Sequence, residues 1–225
     1  MSKEAILGRI REALRMKAPL PGHHGDHTPA QLHMPAEFGE WLPPVGASLD
    51  ARLELFAKNS DELKTEFHLL APGVSHGEKL RALSVENGWR TMATHGGILT
   101  DAAVPTLGLP VLKTDDGYDV AEMERCDVGI SECDALVAQT GSILITSRSA
   151  GGRALSILPP HHVVLATRVQ MVPDLAAAYA VVRAKYGINF PSLISFITGP
   201  SRTGDIERIL VLGAHGPKRL TVLCA

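Results

Sequence analysis

Six short runs of almost uninterrupted apolar residues recur in the second half of the chain and set the strongest limit on its fold. They lie around residues 128–130, 142–145, 162–166, 193–197, 209–212 and 220–223. Apolar runs of this length, without alternation, are typical of strands that are covered on both faces, as in a parallel sheet. We therefore predict an α/β fold built on a doubly wound, mostly parallel sheet.

Three helices are predicted before and between these runs. The first spans about residues 48–63. The second opens with the capping-box pair Ser75 and Glu78; in such a pair each side chain accepts a hydrogen bond from the other residue's backbone N–H. The third spans about Val172 to Tyr186 and is closed by Gly187. Helices that alternate with strands in this way support the α/β prediction.

The first 47 residues have a different character. Ile6, Leu7, Ile10 and Leu14 fall at helical spacing between charged residues, which predicts a short amphipathic helix. Residues 18–47 are rich in Pro, Gly and His and show no apolar period. We therefore predict two parts: an N-terminal helix and arm over residues 1–47, and a single α/β domain over residues 48–225.

Charge and hydropathy exclude several functional classes. The chain has 22 Lys and Arg against 24 Asp and Glu, a net charge of -2, so it lacks the basic surface that phosphate polymers require. No apolar stretch approaches the length of a membrane span, and the first residues lack the apolar core of a signal peptide. We predict a cytoplasmic protein that has no membrane span and does not bind nucleic acid.

The cysteines and histidines predict no metal centre. Cys126, Cys133 and Cys224 show no C-x-x-C pairing, and an iron–sulfur cluster normally takes four thiolates. We therefore expect no iron–sulfur cluster in this chain, and its cofactor, if any, is unknown. A Pro-rich arm offers no preorganised geometry for metal binding. We accordingly assign no metal to the four histidines of the arm, His23, His24, His27 and His33.

Ligands of open α/β sheets bind outside the carboxyl ends of the strands. We therefore expect binding residues in the turns at the ends of the predicted strands. The turn Thr140-Gly141-Ser142 offers hydroxyl donors and a flexible glycine. Residues 147–153 combine Ser, Gly and Arg, which suits an anion but is neither a Walker A loop nor a dinucleotide-binding motif. We expect Arg148 to be solvated and Arg153 to point inward.

A third turn, Gly199 to Glu207, predicts an anion site. Thr203 or Asp205 is placed to cap a short helix whose N-terminus would bind an anion, with Arg202 at its edge. His215, in a Gly-rich turn after the 209–212 run, is placed either for ligand contact and acid–base work or for a structural hydrogen bond.

Several of these motifs occur together in one known family. Gly199 to Glu207 with His215-Gly216-Pro217, and upstream Gln139 to Ser142 with Arg153 and Leu158-Pro159, resemble the lactate utilization protein C family, also called the LUD domain. The resemblance covers about the C-terminal two-thirds of the chain. Gly204 departs from the alanine, and Gln139 from the acidic residue, that are frequent in the family.

The resemblance implies a fold similar to the group that contains glucosamine-6-phosphate isomerase, ribose-5-phosphate isomerase and the CoA-transferases. It also implies a role in oxidising L-lactate to pyruvate beside two iron–sulfur partner proteins, LutA-like and LutB-like. Fold-level likeness alone supplies no mechanism.

Our leading hypothesis is a subunit of such a lactate oxidation system with an anion-binding pocket at the strand ends. Arg202 and Arg153 would bind a carboxylate or phosphate, and His215 would be the base. The predicted ligand-binding residues are Thr140, Gly141, Ser142, Arg153, Gly199, Ser201, Arg202 and Thr203. The predicted catalytic residues are His215, Asp205 and Glu207.

Two alternatives stay open at this point. The first is a free-standing isomerase-like or acyl-transferase-like enzyme on a small phosphorylated or acyl substrate, with Asp205, Glu207 or Glu132 as its carboxylate. Glu132 also fits a capped helix start in Ser131-Glu132-Cys133-Asp134. The second is a non-catalytic assembly subunit whose N-terminal arm docks on the iron–sulfur partners.

Overall fold

The computed structural model describes residues 42–204, 210–212 and 215–225, together with residues 4, 7, 8, 11 and 12; for residues 203, 204 and 210–212 it describes the backbone alone. The chain divides into two compact units, Met1–Trp41 and Leu42–Ala225. In the first unit the described residues are helical and exposed. Ile6, Ile10 and Leu14 of the predicted amphipathic helix, and the arm as far as Trp41, lie outside the described residues.

Five α-helices form among the described residues of the second unit, and their ends follow local sequence signals. They are α1 (Leu49–Leu63), α2 (His76–Asn87), α3 (Ile98–Ala103), α4 (Val120–Glu124) and α5 (Leu175–Tyr186). The capping box at α2 is present: the Ser75 hydroxyl accepts from Glu78 N–H at 3.2 Å, and the Glu78 carboxylate accepts from Ser75 N–H at 2.8 Å. Asp174 caps α5 and Gly187 follows it. The three predicted helices are therefore confirmed.

Twelve strands form in the described part of the second unit. They are β1 (Glu66–Leu69), β2 (Met92–Thr94), β3 (Val111–Lys113), β4 (Val128–Glu132), β5 (Ala135–Val137), β6 (Ser142–Thr146), β7 (His161–Ala166), β8 (Met171–Val172), β9 (Ile194–Ile197), β10 (Arg202–Gly204), β11 (Leu210–Leu212) and β12 (Arg219–Cys224). Six of them pair in parallel, in the order β1-β12-β7-β4-β2-β3.

The parallel sheet is covered on both faces, which is why its central strands β4, β7 and β12 are largely apolar. On one face α2 and α3 contribute Leu80, Leu83 and Ala103 to a core that includes Val163 and Leu165 of β7. On the other face Phe56 of α1 and Ile143 of β6 pack against Val164 of β7. Each fully buried aliphatic side chain of this kind contributes about 1.5–3 kcal/mol. The structure is the predicted α/β fold with a mostly parallel sheet.

Three of the six apolar runs do not join the parallel sheet. β5, β6, β8 and β9 form a second sheet in the order β8-β5-β6-β9, in which β6 is antiparallel to both neighbours. The chain reverses direction between β5 and β6, at a turn where Gly141 has a φ of 64°. The expectation of one sheet was therefore wrong for the runs at 142–145 and 193–197, because an apolar run does not specify which sheet it joins.

The third misplaced run, at 209–212, contributes β11 to a separate hairpin. β11 pairs antiparallel with β10, and Thr203 lies opposite Val211. The predicted helix start at Thr203 is therefore wrong, because this residue is the middle of a strand. The alternative start at Asp205 lies outside the described residues.

None of the helices among the described residues is long and apolar enough to cross a membrane.

Candidate functional site

The connections from two neighbouring strands diverge at the carboxyl edge of the parallel sheet. β2 and β4 are neighbours in the sheet. The strand that follows β2 in the sequence, β3, lies beyond β2, whereas the next strand of this sheet after β4, β7, lies on the opposite side, beyond β4. Open α/β sheets bind ligands at such a topological switch point. A cleft of about 400 Å³ lies here, and we call it the carboxyl-edge pocket. Its lining includes His95, Gly97, Glu132, Arg148, Ser149 and Lys185.

Glu132, the last residue of β4, is anchored through one carboxylate oxygen. Its Oε1 accepts hydrogen bonds from the backbone N–H groups of Leu99 at 2.7 Å and Thr100 at 3.1 Å, at the start of α3. A side chain at Gly97 would overlap this carboxylate, so glycine permits the close approach. Oε2 of Glu132 takes part in no hydrogen bond within the part of the chain that the structure describes.

His95, directly after β2, is buried and uses both ring nitrogens. Its Nε2 lies 3.2 Å from the backbone N–H of Glu132 and accepts a hydrogen bond from it. The proton of the neutral ring therefore sits on Nδ1, which donates to the carbonyl oxygen of Gly96 at 2.8 Å. His95 thus fixes the end of β4 relative to the loop after β2.

Lys185, in the last turn of α5, forms an ion pair in the wall of the pocket. Its Nζ lies 2.5 Å from Oδ1 of Asp134, which also accepts from the hydroxyl of Tyr186 at 2.8 Å. Burial opposes the charge of Lys185, but the hydrogen bond and attraction from Asp134 outweigh it and raise the pKa of the lysine. Burial also opposes ionisation of Asp134, yet hydrogen bonds led by the one from Lys185 hold its pKa below the usual range. Both groups are therefore charged at neutral pH.

Arg148 is the second cation of the pocket. Its guanidinium carbon lies 5.5 Å from the ring centroid of Tyr186, on whose ring it stacks. Among the described residues Arg148 forms no ion pair, so its charge is available to a ligand. An exposed arginine beside a cleft is suited to bidentate binding of a carboxylate or phosphate.

The described residues hold no cluster of three or more His, Cys, Asp and Glu side chains that could bind a metal ion. Burial, followed by the charge of Asp134, raises the pKa of the Cys133 thiol, which lines the pocket. This thiol is therefore neutral and unsuited to binding a metal or attacking a substrate. His23, His24, His27 and His33 lie outside the described residues.

Five predicted ligand-binding residues meet at the other end of β6, away from the pocket. The hydroxyl of Ser142 lies 2.8 Å from the hydroxyls of both Thr140 and Thr198. Gly141 and Gly199 both have positive φ and lie against Leu63, the last residue of α1. The guanidinium of Arg202 lies beside Gly199. We call these residues the hydroxyl cluster.

The position of Arg202 has a structural explanation. The carbonyl groups at a helix C-terminus carry partial negative charge and favour a nearby cation. α1 has no basic residue in its own last turn. Arg202 brings a positive charge to this helix end from a distant part of the sequence.

Ser201 and His215 contact each other at the amino edge of the parallel sheet. The backbone N–H of His215 donates to the Ser201 hydroxyl at 3.4 Å, and the N–H of Ser201 donates to the carbonyl oxygen of Pro217 at 2.9 Å. His215 is exposed and precedes β12. It therefore lies at the edge of the sheet opposite the carboxyl-edge pocket.

The remaining predicted residues are dispersed. Arg153 is exposed, so the expectation that it points inward was wrong. Thr203 is described by its backbone alone, and Asp205 and Glu207 lie outside the described residues. Glu132, weighed as an alternative carboxylate, is the predicted residue that the structure places in the pocket. The helix start suggested for it was wrong, because β4 ends at Glu132 and β5 begins at Ala135.

His95 and Lys185 were not predicted from the sequence. Arg148 is exposed, as expected, and it also lines the pocket. One signal was available for His95, because the run His95-Gly96-Gly97 directly follows the strand at 92–94 and precedes a helix. Lys185 carried no local signal: its role depends on Asp134, which is distant in the sequence.

Comparisons with known proteins agree on one family. Residues 108–224 match the model of the LUD domain. Lactate utilization protein C of Anoxybacillus flavithermus is 32% identical over 148 residues, which cover 60% of this chain and 66% of that protein. The protein of the same name from Bacillus subtilis is 34% identical over 118 residues, covering 50% of this chain and 49% of that one. The aligned regions thus span from about half to about two-thirds of the length of these relatives.

A solved structure supports the same assignment. The crystal structure of a DUF162 family protein from Deinococcus radiodurans superposes with a TM-score of 0.62 at 25% identity, covering 80% of this chain and 99% of that chain. The matched region of the LUD domain includes Glu132, Arg148 and Lys185 of the carboxyl-edge pocket. The chain belongs to the LUD domain family.

Proposed function

We propose that the chain takes part in lactate utilization and binds a small 2-hydroxy or 2-oxo carboxylate in the carboxyl-edge pocket. The observation that carries this proposal is the meeting of Arg148, Lys185 and the anchored carboxylate of Glu132 in one cleft at the switch point. The printed names of the relatives supply the pathway. The pocket supplies cations that can bind the carboxylate of a short acid and a carboxylate that can face its C2 oxygen.

Within this proposal Arg148 binds the carboxylate of the ligand. Lys185 is already paired with Asp134 and adds positive potential to the wall. Glu132 repels a carboxylate at its own side of the pocket, so the ligand has a single favoured orientation. A cleft of about 400 Å³ is in the range of sites that hold molecules larger than a three-carbon acid, which leaves space for a second reactant.

We further propose that L-lactate is oxidised to pyruvate beside LutA-like and LutB-like iron–sulfur partners. Support comes from two exposed apolar side chains that flank the pocket. Ile98 is 87% exposed and follows β2, while Val169 is 90% exposed and follows β7. β4, which ends at Glu132, lies between these two strands. A protein docked over this edge of the sheet would cover both side chains.

The same two side chains favour a second candidate function, that of an assembly subunit that binds the partners and no substrate. Ile98→Asp with Val169→Asp would then abolish complex formation with the iron–sulfur partners. The proposed substrate site predicts in addition that the isolated chain binds lactate or pyruvate.

Isothermal titration of the purified chain with L-lactate and with pyruvate tests the proposal. Arg148→Ala is expected to weaken binding at least about tenfold, because hydrogen bonds to charged groups contribute about 1.5–3 kcal/mol. Arg202→Ala and Arg153→Ala are the matched controls and are expected to bind as the wild type does. Loss of binding in Arg202→Ala, with binding retained in Arg148→Ala, would move the site to the hydroxyl cluster. A wild-type chain that binds neither acid would contradict the proposal.

A further inference from the structure

We infer that Glu132 is the group in the carboxyl-edge pocket that exchanges a proton with the C2 oxygen of the ligand, so that hydroxy and oxo acids bind with different numbers of protons. This inference rests on the proposed function, since it takes the pocket as the binding site. It adds a role for one side chain and a chemical difference between the two ligands.

His95 does not serve as the proton acceptor, although histidine is the usual base at neutral pH. Its Nε2 accepts from the backbone N–H of Glu132, and its Nδ1–H donates to Gly96. A ring with both nitrogens engaged by the backbone has no free lone pair for a ligand proton. His95 holds Glu132 in position instead.

The other ionisable side chains that line the described pocket are also unsuited. Lys185 is held in its charged form by Asp134, and arginine at position 148 keeps its proton under all ordinary conditions. Burial keeps the Cys133 thiol protonated. Of the ionisable groups that line the described pocket, Glu132 is the one left to take up and release a proton.

The geometry of Glu132 suits this role. Oε1 is fixed by the N–H groups of Leu99 and Thr100, and the hydroxyl of Thr100 lies 3.3 Å from it. These contacts orient the carboxylate while Oε2 stays without a hydrogen bond among the described residues. A positioned oxygen with a free lone pair is what proton transfer to a ligand requires.

The reaction balances with this assignment. When a 2-hydroxy acid is oxidised, its hydroxyl proton moves to Oε2 of Glu132 and the C2–O bond becomes double. The hydrogen on C2 leaves with its electron pair as a hydride, which a two-electron acceptor of the nicotinamide or flavin class must accept. The products are the 2-oxo acid, the reduced acceptor and a protonated Glu132.

The two ligands therefore differ in what they need from Glu132. The hydroxyl of lactate donates a hydrogen bond to the ionised carboxylate. The C2 oxygen of pyruvate only accepts, so it can hydrogen-bond with Glu132 only when the carboxyl is protonated and donates to it. Within this inference Glu132, rather than Lys185 or Arg148, is the donor to that oxygen. Pyruvate binding thus takes up a proton from solvent, whereas lactate binding does not. The titratable and charged groups that line the pocket with Glu132 are His95, Cys133, Arg148 and Lys185. Asp134 pairs with Lys185, and Asp115 accepts a hydrogen bond from the N–H of Gly96 in the same wall.

The test is isothermal titration of the full chain with pyruvate and with L-lactate from pH 6 to pH 8, in two buffers of different ionisation enthalpy. Pyruvate affinity is expected to fall towards about tenfold per pH unit, which is the linkage for uptake of one proton. Lactate affinity is expected to stay constant over the same range.

Glu132→Gln keeps the shape of the side chain but replaces the carboxyl group with an amide that cannot take up a proton. In this variant the amide can donate to pyruvate or accept from lactate, so both acids are expected to bind with no pH dependence. Glu86→Gln, an exposed position on α2, is the matched control and is expected to retain the wild-type difference.

Each outcome decides the inference. A pyruvate affinity that does not change with pH in the wild type overturns it, and so does a pH dependence that persists in Glu132→Gln. In both cases binding that depends on Arg148 would leave the proposed function standing. If neither acid binds the wild-type chain, the proposed function fails and the assignment of Glu132 falls with it.

Discussion

Asp134 and Lys185 form an ion pair of 2.5 Å in which the carboxylate is fully buried and the ammonium group is half exposed. Oδ2 of Asp134 is buried without a hydrogen-bond partner among the described residues. The ionised carboxylate is stabilised chiefly by Lys185, with the hydroxyls of Ser149 and Tyr186 also lowering its pKa. This arrangement makes the pair a structural support for the wall of the carboxyl-edge pocket.

Lys185→Met is expected to destabilise the protein by about 2 kcal/mol at pH 7, because it leaves a buried carboxylate without its cation. The value is below that for a fully buried pair because solvent reaches the lysine. The lowered pKa of Asp134 means that the pair contributes above the carboxyl group's ordinary pKa, and that this contribution is lost as pH falls through the folded value. Urea unfolding at pH 7 and pH 3 should therefore show a smaller difference in unfolding free energy between Lys185→Met and the wild type at pH 3.

Two further variants check the interpretation. Arg183→Met, an exposed position on the same helix, should change the free energy of unfolding by less than about 0.5 kcal/mol. Asp134→Asn combined with Lys185→Met should recover part of the loss, since the double variant buries no charge. A double variant that is no more stable than Lys185→Met alone would contradict a role for the buried charge.

Gly97→Ala is expected to displace Glu132 while leaving the fold intact. The backbone of Gly97 is extended, with φ -172°, so alanine fits the backbone. Its methyl group would nevertheless overlap Oε1 of Glu132 and lie 2.9 Å from the Thr100 hydroxyl. The carboxylate can move because it is the end of a flexible side chain. The N–H groups of Leu99 and Thr100 would then lose their acceptor.

The measurement is amide hydrogen exchange at Leu99 and Thr100, which should become faster in Gly97→Ala with a loss of about 1 kcal/mol in unfolding free energy. Gly96→Ala is the neighbouring control, because its methyl group would make only ordinary contact, 3.6 Å from Asp115. Equal exchange rates in the two variants would show that Glu132 does not depend on Gly97.

The local parts of this fold could be predicted from the sequence. The capping box of Ser75 and Glu78 and the N-cap at Asp174 act within one helical turn, so the sequence pattern contains the whole interaction. The apolar runs that became β4, β7 and β12 were also recognisable as buried strands. Which strands pair with one another depends on contacts between distant residues, and an apolar run does not record them.

The candidate site was harder for the same reason. From the sequence, His215 was expected after the carboxyl end of a strand of the main sheet, but that strand is β11 of the separate hairpin. Misassigning one strand therefore moved a candidate base to the wrong edge of the sheet. Glu132 was considered as a helix cap, and it does cap a helix, but the helix is α3, which begins more than thirty residues earlier.

Gly199→Ala tests the packing of the hydroxyl cluster against α1. Gly199 has a φ of 91°, and a methyl group there would lie 2.9 Å from the carbonyl oxygen of Leu63. Both the backbone strain and the contact with backbone are unfavourable, so we expect a loss of about 2–3 kcal/mol. Gly108→Ala has a similar positive φ with open space around it, and is expected to lose about 1 kcal/mol. Equal losses in denaturant unfolding would show that the contact with Leu63 is not tight.

His161 and His162 are adjacent in β7 and are buried on opposite faces of the parallel sheet. The Nε2 atom of His161 lies 2.8 Å from the Thr221 hydroxyl, and that of His162 lies 2.8 Å from the Ser131 hydroxyl. Burial, followed by the charge of Arg219, lowers the pKa of His161 to about 4. Burial, followed by the charges of His161 and His95, lowers the pKa of His162 to about 3. Folding therefore favours the neutral form of both rings.

The protein is accordingly expected to lose stability in mild acid, well before its carboxylates are protonated. The unfolded chain binds protons at histidine below about pH 6.5, whereas the folded chain resists them until about pH 4. The free energy of unfolding is thus unaffected by the titration of these histidines above pH 6.5. Below that pH it falls by about 1.4 kcal/mol per pH unit for each histidine. Urea unfolding at pH 7, 6 and 5 measures this slope. His162→Gln should reduce the slope by about half, while His215→Gln, at an exposed histidine, should leave it unchanged. A slope that is the same in His162→Gln and the wild type would show that the buried ring does not control acid stability.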